Sequence, residues 1–158
     1  MFELTVKGER KFFAALDRLA EAAADVRETP EGWQPHVDLR LDYERRHLDS
    51  EGAGGWAPLN DAYAGWKQER VGDRPILYFS GRMDRSLTEE GAAGYVRDEA
   101  ADSLQVGTSD LKARRHHEGK GVPERPVIVV TPQEADDHLL AFHDAYEATA
   151  RAAGFRVI

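Results

Sequence analysis

The chain has 158 residues, of which 41% are hydrophobic and 32% charged, a balance typical of one folded domain. It contains no cysteine, which excludes disulfide bonds, thiolate zinc sites and cysteine nucleophiles. The net charge of −8 makes duplex nucleic acid a poor expected ligand, because phosphate binding needs clustered cations. The apolar runs are short, so no segment is predicted to cross a membrane.

Hydrophobic periodicity predicts three elements in the first third of the chain. Residues 2–6 alternate apolar and polar side chains, the pattern of a short strand. Residues 11–26 carry apolar side chains at spacings of three and four, which predicts a helix with one apolar stripe. Beyond the breaker at residues 29–32, residues 36–50 predict a highly charged helix that is either solvated or in contact with another subunit.

Glycine and proline divide the middle of the chain. Residues 51–55 form a glycine-rich joint, and Pro58 is expected at an early position of the helix that follows. Residues 76–79 are too few for periodicity to distinguish a strand from a buried helix. A further short helix is predicted over residues 111–117.

The rest of the chain predicts a small sheet and a long helix. Residues 95–97 and 103–106 have the pattern of a β-hairpin. Residues 127–130 are all β-branched and form the strongest predicted strand. A helix over residues 132–153 follows, with Thr131 as its N-cap. This mixture is typical of an α+β fold, and the absence of a linker predicts one domain over residues 1–158.

Motifs for catalysis and metal binding are weak. His116 and Glu118 form the H-x-E element of zinc deaminases, but that site also needs two cysteines. His138 and His143 are five residues apart, so they lie on different faces of a helix and are poorly placed to share a metal. We therefore expect no catalytic residue, no metal and no cofactor. A small metal-dependent hydrolase that uses these histidines is the remote alternative.

Aromatic and proline-flanked residues suggest anchoring surfaces. Trp56 and Trp66 are expected to be core or interface anchors, with a stacking platform as the alternative. Arg125 lies between Pro123 and Pro126, which hold the segment extended so that the guanidinium faces a carboxylate. That carboxylate belongs either to a neighbouring subunit or to an internal ion pair.

A series of motifs in fixed order spans residues 56–130. It consists of Trp56-Ala57-Pro58-Leu59, Lys67, Ile76-Leu77-Tyr78-Phe79-Ser80-Gly81, Val106-Gly107-Thr108, His117-Glu118-Gly119 and Pro123-Glu124-Arg125-Pro126. In this order and spacing the motifs resemble the bacteriophage virion morphogenesis family, the tail-completion proteins of Mu-like and P2-like phages. The chain departs from the family at Lys112, Glu118 and Glu124, where the family has tyrosine, glutamine and alanine.

The resemblance implies a non-enzymatic structural protein of the virion, acting at the head–tail junction and assembled in the host cytoplasm. It implies an α+β fold with a small antiparallel sheet flanked by helices and a long C-terminal helix. It assigns family-motif or structural roles to Trp56, Pro58, Leu59, Lys67, Leu77, Ser80, Gly81, Gly107, His117, Gly119, Pro123, Arg125 and Pro126.

The implied partners are other copies of this chain in a hexameric ring, the tail tube or tail terminator, and head-completion or connector proteins. DNA is expected to pass through the ring without specific binding, and no membrane is involved. The charged residues expected at subunit contacts are Arg45, Arg46, Arg114, Arg115, Glu118, Asp136 and Asp137.

Two alternatives to this function stay open. A tail terminator or head–tail connector subunit that caps the tail tube shares the same small ring-forming architecture. A bacterial adaptor that binds a peptide by strand addition at an exposed sheet edge is the second alternative. The core of the subunit is expected around Trp56, Tyr78, Phe79 and residues 127–130.

Overall fold

The computed structural model describes residues 9–155. These residues form an α+β fold of six helices and one two-stranded sheet, which confirms the predicted class. The elements are α1 (Glu9–Ala24), a 3-10 helix (Val26–Glu28), α2 (Gln34–Asp49), α3 (Asp61–Val71), α4 (Arg82–Thr88), β1 (Tyr95–Glu99), β2 (Leu104–Thr108), α5 (Leu111–Glu118) and α6 (Pro132–Ala152). The strand predicted over residues 2–6 lies outside the described residues.

The first two helices lie where they were predicted, but the buried face of α1 is not the predicted apolar stripe, since Phe13 and Leu16 are exposed. In α1, Ala15 and Ala22 are buried, and this helix contacts α6. In α2, Val37, Leu41 and Leu48 lie on one face and are buried against α4 and α6. The charged helix of the prediction is therefore an internal element with one solvated face.

The joint between α2 and α4 differs from the prediction at two points. Pro58 precedes α3, which begins at Asp61 because the Asn60 side chain accepts a hydrogen bond from the Tyr63 N–H. Residues 76–79 form a turn and belong to neither a strand nor a helix. Gly81 then begins α4 with a left-handed φ of 74°, which favours glycine.

The sheet consists of the predicted hairpin without the predicted third strand. β1 and β2 pair antiparallel, with Tyr95 opposite Thr108 and Glu99 opposite Leu104. Residues 127–130 have no regular secondary structure, so the strand prediction there is wrong. β-branched side chains favour a pleated surface, but a strand also needs a partner for its backbone groups, and no described strand pairs with this segment.

The last helix agrees with the sequence in detail. The Thr131 hydroxyl accepts a hydrogen bond from the Glu134 N–H at 3.1 Å, so Thr131 is the N-cap. Pro132 follows at the first turn, where its missing N–H costs nothing. Gly154, with φ of 93°, lies just beyond the end of α6.

The core lies where α2, α4, α5 and the loops between them meet. Its buried residues are Leu48, Trp56, Ile76, Met83, Leu87, Ala113 and Val127. Tyr78 packs at its edge, as expected, and Val127 is buried. The predicted core was too wide at four positions that are exposed, Phe79, Ile128, Val129 and Val130.

Trp56 fixes the path of the chain after α2. Its indole lies against Gly52, where an added Cβ would be 2.4 Å from Nε1, and Gly52 has a φ of +66°. The His47 ring meets the indole edge-on at 5.4 Å between ring centroids. Glycine is therefore required at position 52 for two reasons, the backbone conformation and the close approach of the tryptophan.

We predict that Gly52→Ala destabilises the protein more than Gly54→Ala. Both glycines have positive φ, which costs about 1–2 kcal/mol with a Cβ. Only Gly52 is crowded by Trp56, which adds about 1–3 kcal/mol of overpacking, whereas no atom lies within 4 Å of a Cβ at Gly54. Urea unfolding monitored by tryptophan fluorescence measures both changes. Equal losses would contradict the role given to the indole contact.

Candidate functional site

Part of the motif lines a cavity of about 170 Å³, here named the motif cavity. Elements from α3 to the loop after α5 surround it. Six of the predicted structural positions line it: Leu59, Lys67, Leu77, Ser80, Gly81 and Arg125. Motifs that are up to 66 residues apart in the sequence therefore belong to one place in the fold.

Lys67 projects from α3 into the surroundings of this cavity and is only 5% exposed. Its Nζ donates hydrogen bonds to the carbonyl oxygens of Arg74 at 2.7 Å and Pro75 at 2.5 Å. Burial lowers the pKa of Lys67, while the charges of Glu51 and Asp73 act in the opposite direction. The ammonium thus holds the loop after α3 against its own helix.

Arg125 makes the corresponding connection on the other side of the cavity and is 3% exposed. Its Nε and Nη2 donate to the Ala57 carbonyl oxygen at 3.0 and 2.8 Å. The guanidinium fork therefore binds a backbone carbonyl 68 residues away. Of the two alternatives given for Arg125, the internal ion pair is not formed among the described residues. A planar fork suits this task because two parallel N–H groups fix both distance and direction.

Other motif positions shape the loops around the cavity. Gly119 ends α5 with φ of 65°, and an added Cβ would lie 3.1 Å from the Cβ of Glu124. The Pro126 carbonyl oxygen lies 2.7 Å from His47 Nε2 and accepts a hydrogen bond from it. Gly107 lies beneath Ile128, whose Cδ1 would be 4.0 Å from an added Cβ.

The remaining motif positions have less contact with the interior. Pro58 and Pro123 are exposed. His117 is also exposed and faces a separate groove beside Ile128. Six of the thirteen motif positions therefore line the motif cavity, and the other seven, His117 among them, do not.

Two buried polar atoms in the motif cavity have no hydrogen-bond partner among the described residues, Asp84 Oδ1 and His116 Nδ1. Burial raises the pKa of Asp84. Burial and the charge of Arg125 lower the pKa of His116. A serine, a histidine and a carboxylate thus line one cavity, but no hydrogen bond joins Ser80 to His116, or His116 to Asp84, in the part of the chain described.

Most of the charges expected at subunit contacts have local partners on their own helix. Arg46 lies 2.7 Å from Asp42, and Arg45 lies 3.8 Å from the same carboxylate. Arg114 lies 2.8 Å from Glu118. Exposed pairs of this kind contribute little to stability.

The acidic and basic residues that remain differ in their surroundings. Asp137 accepts a hydrogen bond from the Tyr43 hydroxyl at 2.6 Å, which lowers the pKa of this carboxyl. Asp136 and Arg115 are exposed.

Three aromatic rings form an exposed ridge beside the motif cavity, here named the aromatic ridge. Tyr63 and Trp66 stack at 5.4 Å between centroids, and Trp66 and Phe79 at 5.3 Å. Each is between 41% and 43% exposed, and the Arg70 guanidinium covers the indole at 4.7 Å. Trp66 is therefore a surface residue, unlike Trp56, and its exposure fits the interface role among the alternatives predicted for it.

The contact between α2 and α6 contains a histidine pair that sequence reasoning missed. His36 Nδ1 and His138 Nδ1 are 3.0 Å apart, and the rings stack at 5.2 Å between centroids. Next to them, Arg40 lies 2.5 Å from the buried Glu134 carboxylate. Burial, and then the charge of His138, lower the pKa of His36 to about 4. The only signal in the sequence that His36 could be buried is its place next to Val37, an apolar position of the predicted helix.

Comparisons with protein-family models, with curated proteins and with solved structures find no match to this chain. Within residues 9–155, no three histidine or acidic side chains are grouped so that they could hold a metal ion. None of the helices described is both long and apolar enough to span a membrane.

We predict that Arg125→Lys destabilises the protein by about 1–3 kcal/mol, because a lysine cannot replace the two parallel N–H donors to Ala57 and leaves a buried charge with fewer hydrogen bonds. The matched control is Arg115→Lys on the exposed face of α5, expected within about 0.5 kcal/mol of the parent protein. Equilibrium unfolding in urea measures both. A loss at Arg125 no larger than that at Arg115 would contradict the tie between the loops.

We also predict that stability falls as the pH decreases from about 6.5 to about 4. The unfolded chain binds a proton at His36 below pH 6.5, whereas the folded protein resists protonation until about pH 4. The loss from this residue is at most about 1.4 kcal/mol per pH unit. His36→Gln should flatten the curve of unfolding free energy against pH in this window, and His143→Gln, at an exposed histidine, should not. Parallel curves for the two variants would overturn the assignment.

Proposed function

We propose that this protein is a structural subunit of a phage virion, a tail-completion or neck protein that assembles as a ring at the head–tail junction. The proposal unites the resemblance of the motifs with the role that their side chains have in the fold. A tail terminator or a connector subunit would use the same architecture. The place on the tail where the protein assembles distinguishes these roles from one another.

The observation that carries the proposal is the use of the two buried cations of the motif. Both side chains bind backbone carbonyl oxygens: Lys67 ties residues 74–75 to α3, and Arg125 ties residue 57 to the segment before α6. Side chains used in this way build a rigid framework, because each fixes the path of two chain segments. That is what a subunit needs when its surface must match identical neighbours in a closed ring.

The surface gives a second line of support. Among residues 9–155, four aliphatic side chains are more than 60% exposed: Leu111, Val130, Leu139 and Leu140. Leu139 and Leu140 are adjacent on the outer face of α6, next to the exposed Asp136. Exposed apolar groups bordered by charge are typical of surfaces that contact other proteins. The net charge of −8 suits a ring through which DNA passes without being held.

The test is the mass of the purified protein in solution, alone and mixed with phage tail tubes, followed by electron microscopy. We expect a closed ring, formed either in free solution or at tube ends. The double variant Leu139→Glu/Leu140→Glu should weaken ring formation or tube binding at least tenfold, because two exposed apolar contacts are replaced by charges.

The control for this test is His143→Glu, an exposed residue on the same helix that should leave assembly unchanged. Thermal unfolding of all three proteins shows whether the variants stay folded. A monomer that ignores tail tubes would count against the proposal and would favour the enzyme or adaptor alternatives.

A further inference from the structure

The motif cavity contains a buried acceptor that lacks a donor. Asp84 lines the cavity and is 8% exposed, and its Oδ1 has no hydrogen-bond partner among the described residues. Gly81 lies beside this oxygen, and an added Cβ there would be 3.8 Å from it. Burial raises the pKa of Asp84 because it removes water from the charged form. A donor that entered the cavity would supply the missing hydrogen bond.

A second polar atom in the cavity is in the same condition. His116 lines the cavity from α5, and its Nδ1 is buried without a partner in the part of the chain described. Burial, and then the charge of Arg125, lower the pKa of His116, so the ring is neutral at pH 7. A neutral imidazole has one nitrogen that accepts a hydrogen bond. The cavity therefore suits a ligand that carries more than one donor.

The size of the motif cavity admits an organic group. Its volume of about 170 Å³ is well above the roughly 30 Å³ that one water molecule occupies in the liquid. It is close to the volume of an engineered protein cavity, about 150 Å³, that binds benzene. Tyr63, Phe79 and Ser80 line the cavity and are exposed, so it opens to solvent beside the aromatic ridge. A planar group of about six non-hydrogen atoms can enter there.

The aromatic ridge favours a planar cation. Tyr63 and Phe79 belong to the ridge and also line the motif cavity. The ridge already carries one guanidinium, that of Arg70, which lies 4.7 Å from the centroid of the Trp66 ring. Guanidinium groups stack on aromatic rings and donate several hydrogen bonds from one plane. An ammonium group has no flat face to stack in this way.

The cations that line the cavity are already engaged. Lys67 and Arg125 bind backbone carbonyl oxygens. Burial lowers the pKa of both groups, and the charge of Glu51 acts against this in each case. Lys112 is exposed, where solvent screens its charge. An anion would therefore find few free donors and would face Asp84, whereas a cation would find an unpaired carboxylate oxygen.

We propose that the motif cavity binds a guanidinium group, which donates hydrogen bonds to Asp84 Oδ1 and His116 Nδ1 and stacks on the aromatic ridge. The group belongs either to an arginine side chain of another protein or to a small molecule such as free arginine. The net charge of −8 favours the approach of a cation. This site goes beyond the proposed function, since it requires neither a ring nor a tail tube.

The first test compares two ligands on the unmodified protein by titration calorimetry. One is N-acetyl-arginine methylamide, and the other is the citrulline derivative of the same shape, in which a neutral urea group replaces the guanidinium. We expect saturable binding of the arginine derivative and about tenfold weaker binding of the citrulline derivative, because the charge-assisted bonds to the carboxylate are lost. Equal binding of the two ligands would overturn the proposal, and so would the absence of saturable binding by the arginine derivative.

The second test locates the site with variants. Asp84→Asn keeps the size of the side chain and removes its charge, so it should weaken binding of the arginine derivative about tenfold. Asp144→Asn makes the same change at an exposed position on α6 and should bind as the parent protein does. Thermal unfolding shows whether both variants are folded. Undiminished binding by folded Asp84→Asn would overturn the proposal.

Nuclear magnetic resonance of the unmodified protein locates the ligand even if Asp84→Asn does not fold. The amide signals of Asp84 and His116 should shift during titration with the arginine derivative, and that of Asp144 should not. Shifts that are confined to residues outside the cavity would contradict the site.

Free arginine identifies the source of the group. Tighter binding of the capped derivative would support the site with a partner protein as the source, and tighter binding of free arginine would support it with a small molecule. None of these measurements uses tail tubes, so their failure would leave the proposed function as it stands.

Discussion

The contact between the Arg125 guanidinium and the Ala57 carbonyl fixes the arrangement on which the rest of the structure depends. It joins the loop that follows Trp56 to the segment that leads into α6, across 68 residues. A buried guanidinium is costly unless its N–H groups are bonded, so the loop cannot move without leaving a charge unsatisfied. The motif cavity, the core around Trp56 and the start of α6 are therefore parts of one unit.

Sequence reasoning succeeded where local chemistry decides structure. Thr131 and Pro132 mark the start of α6 because a hydroxyl cap and a proline both act within the first turn. The hairpin was predicted from alternation and turn residues, which are also local. Residues 127–130 show the limit of this approach. Their β-branched side chains predict a strand, but a strand exists only with a partner, and the partner depends on the rest of the fold.

Six of the thirteen motif positions line the motif cavity, but the sequence did not indicate how their side chains are bonded. The motif order identified Lys67 and Arg125 as structural positions, yet nothing in the sequence indicates that both bind backbone carbonyls instead of carboxylates. Carbonyl partners have no signature, because every residue carries one. The pair of His36 and His138 was missed for a related reason, since 102 residues separate the rings and only the packing of α2 on α6 brings them together.

The burial of Lys67 also has a consequence for its chemistry. Its ammonium is enclosed and bonded to two carbonyls, while Lys112 and Lys120 are exposed. Amine-reactive reagents and lysine-modifying enzymes therefore reach those two side chains in the native protein and meet Lys67 only when the loop after α3 opens. The labelling of this one amine is a built-in reporter of local opening, distinct from global unfolding.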